Sequence, residues 1–198
     1  MAVHSPDFYY IDPSKTASQT IQVVLREYYS AEPVKPPIMG WVPNKEQAII
    51  VSVRNPYSRV VSLWWATCCR GGTFYRWEKY CDGILSMITW LRDRKWLLMA
   101  DAAVLSCSPW NSNLCYTMTE WCCGLKPDYL IHQETIDEDF HKLPFSCGWP
   151  ATLPKINVKL DTEERKPIEE YLTPDVIQAI NEWCHDDFEQ FGYTMRRS

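Results

Sequence analysis

Two stretches of the chain carry residue types that suit a bound anion. The first reads PSKTASQT, residues 13–20. Lys15 offers a mobile positive charge. Thr16, Ser18 and Thr20 offer hydroxyl donors, and Gln19 an amide. A helix that starts at such a loop presents backbone N–H groups that attract phosphate. The second stretch reads IIVSVRNPYSRVVSLWW, residues 49–65. Here an apolar strand ends at Arg54, Asn55-Pro56 opens a helix, and Ser62 lies about two turns in. Arg59 is on the same segment. Arg54 thus stands at the C-terminal end of a strand, where α/β sheets bind ligands. Taken singly, the first stretch is equally a surface turn with a helix cap, and Arg54 an ordinary ion-pair partner. Two anion-shaped elements at sheet-strand separation favour a phosphate site.

The elements that would position these residues follow from periodicity. FYYI within residues 7–12 reads as a strand. Ile21, Val24, Leu25 and Tyr28 recur at helical spacing, which predicts a helix over 18–30 capped by Ser18 or Thr20. SAEPVKPPIMGWVPNKE is Pro-rich and reads as loop. QAIIVSV, 47–53, reads as a buried strand. Asn55 caps the next helix with Pro56 at its first position. GGTF breaks the chain, helices follow at 82–100 and 110–123, and a strand at 128–132. TIDEDFHKL reads as a short helix. Thr173 and Pro174 open a long final helix that Gly192 terminates. Strands alternating with helices predict an α/β fold. The expected form is a three-layer α/β/α arrangement around a central parallel sheet, as one domain over 1–198.

Composition narrows the function. The 198 residues are enough for one sizeable core, and 46% hydrophobic with 23% charged residues is globular. Ten Trp and eleven Tyr allow an aromatic-rich core and an aromatic-lined cleft alike. A net charge of −5 argues against a nucleic-acid partner, though not against a local basic pocket. No apolar run reaches the ~18 residues of a membrane span. MAVHSPDFYY lacks the basic and apolar regions of a signal peptide, so a cytoplasmic protein without membrane partners is expected. Of the nine cysteines, Cys68-Cys69 and Cys122-Cys123 are adjacent pairs, without zinc-knuckle spacing. Free buried thiols and no metal are expected.

A Walker A loop requires G-x-x-x-x-G-K-[ST]. Lys15-Thr16 meets its last two positions, but the glycines are absent and no Walker B acid is evident. Instead the two stretches resemble the sulfotransferases that use 3′-phosphoadenosine 5′-phosphosulfate. KTASQTI aligns without gaps to that family's P-K-T-[AG]-G-T-S loop, which binds the 5′-phosphosulfate. RNPYSRVVS matches every fixed position of R-[DN]-P-x-x-R-x-x-S, which binds the 3′-phosphate. LIHQETIDEDFHKL and HDDFEQFGY resemble two downstream family segments, the second found in carbohydrate and related sulfotransferases. The resemblance runs from about residue 8 to 193.

That resemblance implies a P-loop-like sulfotransferase fold and an enzyme. The enzyme would transfer a sulfuryl group from 3′-phosphoadenosine 5′-phosphosulfate to a hydroxyl or amine of a carbohydrate or small molecule, without a metal. It implies that Lys15, Thr16, Ala17, Ser18, Gln19 and Thr20 hold the 5′ side. Arg54 and Ser62 hold the 3′-phosphate. Lys15 also stabilises the bridging oxygen as charge builds on the leaving phosphate. The sequence departs from the pattern at Ser14, Ser18 and Gln19, where the family has proline, glycine and a hydroxyl residue. A general base is also required. Between the motifs lie Glu27, Glu32 and Glu46. Glu32, in the Pro-rich loop, is the chosen candidate; His132 and His141 are rivals. Trp64, Trp65 and Trp77 are candidates for a cleft, and Lys155 and Lys159 for the nucleotide phosphates. Asp187, Phe191 and Tyr193 are expected to close the fold. Two other functions stay open: a P-loop-type small-molecule kinase, and a nucleotide-binding protein that keeps the fold without turnover.

Overall fold

The computed structural model describes residues 2–35, 37, 40, 42–66, 82–100, 116–144, 153–154 and 166–197. The protein is mixed α/β, with a five-stranded, mostly parallel sheet and, among the described residues, seven α-helices. The chain divides into two compact units that interleave in sequence: Met1–Arg54 with Met118–Thr162, and Asn55–Thr117 with Glu163–Ser198.

The first unit holds the whole sheet. Its strands are β1 (Ala2–His4), β2 (Phe8–Ile11), β3 (Glu32–Val34), β4 (Ala48–Val53) and β5 (Tyr129–His132), in the order β3-β1-β2-β4-β5. β2, β4 and β5 run parallel, with Ile11 beside Val51 and Val53 beside His132. The sheet is not wholly parallel, as the sequence had suggested. β1 runs against both β2 and β3. The physical cause is the three-residue link Ser5-Pro6-Asp7, too short for a parallel crossover. Ser5 closes this turn, its N–H donating to the Phe8 carbonyl at 2.9 Å and its Oγ accepting from the Asp7 and Phe8 amides. A second difference is β3, which lies in the stretch expected to be loop. Its Pro33 sits on the outermost strand, where one edge needs no donor.

Helix α1 (Ser18–Tyr29) follows β2. Ile21, Val24 and Leu25 are buried as the spacing predicts, in one core with Phe8, Tyr10, Ile50 and Ile131. Each such side chain contributes roughly 1.5–3 kcal/mol by leaving water. Tyr28 instead is half exposed, and Tyr29 turns inward to meet the Phe8 ring edge-on at 5.6 Å. Ser30 ends the helix in the left-handed region, its N–H donating to the Leu25 carbonyl. Helices α4 (Met118–Cys122) and α5 (Ile136–His141) complete this unit, Phe140 of α5 joining the same core.

The second unit is helical in its described residues: α2 (Pro56–Trp64), α3 (Ile84–Ala100), α6 (Pro174–Trp183) and α7 (His185–Phe191). Tyr57, Val60, Leu63, Met87, Leu91, Val176, Ile180 and Phe188 form its core. Asn55 and Thr173 cap α2 and α6 as expected, the first accepting from the Tyr57 and Ser58 amides, the second from Val176. The expected single final helix is two. Cys184 leaves helical geometry at φ −106°, ψ 22°, between α6 and α7. The break lets Asp187, Phe188 and Phe191 all turn inward. Gly192 then ends α7 at φ 73°, as predicted. Tyr193 packs against the core of this unit. Of the expected helix 110–123, residues 110–115 lie outside the described residues.

Candidate functional site

The loop 12–17 joins β2 to α1 at the C-terminal edge of the parallel strands. Two of its residues, Lys15 at φ 74° and Ala17 at φ 62°, are left-handed without being glycine. That conformation costs about 1–2 kcal/mol per residue, because Cβ crowds the backbone. Ala17 is the N-cap of α1, so neither Ser18 nor Thr20 caps the helix as expected. An alanine brings no capping side chain. The chemistry this helix start presents to an anion is that of its own first-turn amides. Thr20 is nearly buried and Gln19 exposed within that turn.

Thr16 is placed differently from its expected role. Its side chain is fully buried, and Oγ1 donates to the Pro13 carbonyl at 2.7 Å. The Ser52 Oγ lies 2.7 Å from the same oxygen, and Tyr10 OH donates to Ser52 at 2.8 Å. Each hydroxyl has one proton. The order is therefore Tyr10 to Ser52, Ser52 to Thr16, Thr16 to Pro13. The Thr16 proton is engaged within the protein and is not a donor to a bound phosphate. Thr16 instead ties the loop to β4 through Ser52.

Arg54 makes the second tie. Its Nη1 donates to the Lys15 carbonyl at 3.3 Å. The two motif residues of opposite ends of the expected nucleotide thus meet within the first unit. Arg59 and Ser62 lie on α2 of the second unit. Arg59 is 1% exposed and donates from Nη2 to the Tyr116 carbonyl at 2.9 Å. Ser62 is 9% exposed.

Sequence reasoning missed Asp12, the first residue after β2. It is buried, and Gln22 of α1 donates its amide to Oδ2. Burial pushes its carboxyl from 3.8 up to about 7, although the Gln22 bond works the other way. Burial and then the Asp12 charge raise the Tyr10 hydroxyl well above its ordinary value. A polar residue flanked by a strand and a phosphate-type loop was the available signal.

The proton acceptors fall in distinct places. Glu32 opens β3 rather than lying in a loop. Its side chain is exposed and its Cα pairs with His4. β3 shares the direction of β2, so Glu32 stands at a strand start, whereas the Lys15 loop follows a strand end. Two strand spacings, about 10 Å, also separate β3 from β2. Glu27 is exposed on α1, and Glu46 is exposed before β4.

His132 ends β5 beside Val53, on the same sheet edge as Arg54 and the Lys15 loop. Its Nδ1 lies 2.8 Å from Asp139 Oδ2, and its backbone N–H donates to the same oxygen at 3.0 Å. Thr135 and Lys142 also donate to Asp139, each at 2.9 Å. Burial opposes the Asp139 charge. The bonds from the His132 backbone, Lys142, the His132 ring and Thr135 outweigh it and hold the carboxyl well below the usual range. His141 is exposed, its Nδ1 2.5 Å from the Asp137 carbonyl oxygen.

Trp64 and Trp65 pack against the core of the second unit. Trp77, Lys155 and Lys159 lie outside the described residues. Among those described, Cys122 and Cys184 are buried free thiols and Cys123 is an exposed one. No described helix is long and apolar enough to cross a membrane. No protein-family model, curated protein or solved structure matches this chain.

Proposed function

We propose that the protein is a sulfotransferase using 3′-phosphoadenosine 5′-phosphosulfate, with a three-layer sulfotransferase-type fold. The observation that carries this reading is the bond from Arg54 to the Lys15 carbonyl. It joins the end of β4 to the phosphate-type loop, the relation a nucleotide bearing both a 5′ and a 3′ phosphate requires. The site would gather the first-turn amides of α1, the Lys15 ammonium and the Arg54 guanidinium. Three kinds of positive potential then converge on the C-terminal edge of the sheet.

The reaction would be in-line. An acceptor hydroxyl or amine attacks sulfur, the bond from sulfur to the bridging oxygen breaks, and the 5′-phosphate departs with the electron pair. Lys15 would neutralise the charge on that oxygen. The kinase reading is weaker. A P-loop kinase uses the hydroxyl after its lysine to hold magnesium, and here that hydroxyl is fully buried and bonded to Pro13 and Ser52. A nucleotide binder without turnover has one observation in its favour. Lys15 and Ala17 hold left-handed backbone without glycine, a strain tolerable in a rigid cradle.

Thermal unfolding with added nucleotides separates these readings. The bisphosphate 3′-phosphoadenosine 5′-phosphate should raise the Tm, since it binds only the folded state. Adenosine 5′-phosphate should do much less. Stabilisation by ATP with magnesium and none by the bisphosphate sinks the proposal.

A further inference from the structure

We infer that His132, oriented by Asp139, takes the acceptor's proton, a role the two nucleotide motifs do not assign. The inference rests on the sulfotransferase reading of the site. It begins with topology. β2, β4 and β5 are parallel neighbours, and their C-terminal ends carry the Lys15 loop, Arg54 and His132 in turn. His132 pairs with Val53, one strand spacing of about 4.8 Å away. Arg54, the next residue, bonds the Lys15 carbonyl. The imidazole is therefore a partly exposed base on the edge where Lys15 and Arg54 meet, whereas the Asp12 carboxyl that opens the Lys15 loop is buried and bonded to Gln22. Glu32 is at the opposite end of an outer strand.

The second observation is how the ring is held. Asp139 Oδ2 takes both the His132 backbone N–H and the ring at Nδ1. Oδ1 is held by Lys142 and Oδ2 also by Thr135. The four groups bonded to Asp139 come from His132, backbone and ring, from Thr135 in the following turn and from Lys142 just past α5. The carboxylate keeps its charge, so the neutral imidazole carries its proton on Nδ1 and its lone pair on Nε2. A carboxylate behind an imidazole fixes the tautomer and stabilises the imidazolium once it forms. Asp139 is accordingly a positioning residue.

The step balances simply. The acceptor oxygen forms its bond to sulfur as its proton passes to Nε2. The bond from sulfur to the bridging oxygen breaks, and the electron pair stays on the 5′-phosphate. The resulting imidazolium sits against Asp139 until the proton returns to water.

The test uses the full chain, with the bisphosphate and the sulfated nucleotide as probes and water as the acceptor. Ring nitrogen spectra of the wild type should show the Nδ1-protonated form. Saturating bisphosphate should shift these ring nitrogen signals, because the bound anion lies on the same sheet edge. His132→Asn keeps a donor toward Asp139 and removes Nε2. It should bind the bisphosphate within about threefold of wild type, form it from the sulfated donor about 10²–10⁴-fold more slowly, and lose the acidic limb of the pH profile. Three results overturn the inference while the nucleotide reading stands. They are a ring that does not respond when the bisphosphate binds, a His132→Asn protein with wild-type rate and profile, and a wild type that binds but forms no product. Failure of the bisphosphate to bind removes the reading itself, and this inference with it.

Discussion

The Arg54 guanidinium donates to the backbone carbonyl of Lys15 at 3.3 Å, across two neighbouring parallel strands. The bond has two consequences. It holds a positive side chain at the strand edge, and it braces a lysine whose φ of 74° is unfavourable for a residue with Cβ.

Arg54→Ala should therefore weaken binding of the bisphosphate and loosen the loop together. A hydrogen bond to a charged group contributes about 1.5–3 kcal/mol, or roughly 10- to 100-fold in affinity. Calorimetric titration measures it. Unchanged affinity would remove Arg54 from the site.

Lys15→Ala separates binding from chemistry. If the ammonium meets charge that grows during transfer, kcat should fall strongly while affinity for the bisphosphate changes little. A rise in KM for the sulfated donor with kcat intact would make Lys15 a binding residue only.

Thr16→Val tests the buried hydroxyl chain. The change keeps the shape and removes the oxygen that links Ser52 to Pro13. Leaving a buried hydroxyl without its partner costs about 1–3 kcal/mol. Urea denaturation should show a loss of that size, while the folded protein keeps its bisphosphate affinity. An affinity loss without a stability loss would return Thr16 to the role of phosphate donor.

Part of this site was legible before any coordinates. The shared edge of Lys15 and Arg54 is legible because Arg54 directly follows one strand of β-forming residues and Lys15 lies in the loop after another, and parallel strand ends in an α/β sheet share an edge. Asn55, Thr173 and Gly192 were found because capping is a local property of one turn. What escaped depended on distant contacts. Thr16 reads as an available hydroxyl until Ser52, thirty-six positions later, closes over it. β1 is three residues long and exists because the Ser5 turn folds it back on β2. Glu32 reads as loop among prolines, and only pairing with His4 makes it strand. His132 stood in the sequence only as a rival base, and its bond to Asp139, seven positions on, is visible only once the turn after β5 is formed.

Ala17→Gly should stabilise the fold. Glycine adopts the left-handed region without the Cβ cost, although its unfolded chain has more freedom to lose. The two terms leave a gain of up to about 1 kcal/mol, read as a higher denaturation midpoint at unchanged slope. A lower midpoint would show that φ 62° at Ala17 carries no strain.

Asp12 sets a pH dependence with a definite sign. Its folded carboxyl titrates at about 7, against 3.8 as the ordinary value, so the folded state binds a proton the unfolded state has released. The contribution to stability is fully present below about pH 4 and is lost as the pH rises through about 7. That interval corresponds to at most about 4 kcal/mol. Asp139 acts in the opposite direction. Its carboxyl is held low, so its stabilisation stands at neutral pH and disappears only in acid. Comparing wild type with Asp12→Asn isolates the first effect, because Asp139 is common to both. The asparagine keeps an acceptor for Gln22 and has no charge to bury. Between pH 5 and 8 the wild type should lose stability relative to the variant, as read from urea midpoints. Parallel curves over that range would mean that Asp12 is ionised in the folded protein well below neutral pH, with its charge compensated where it lies.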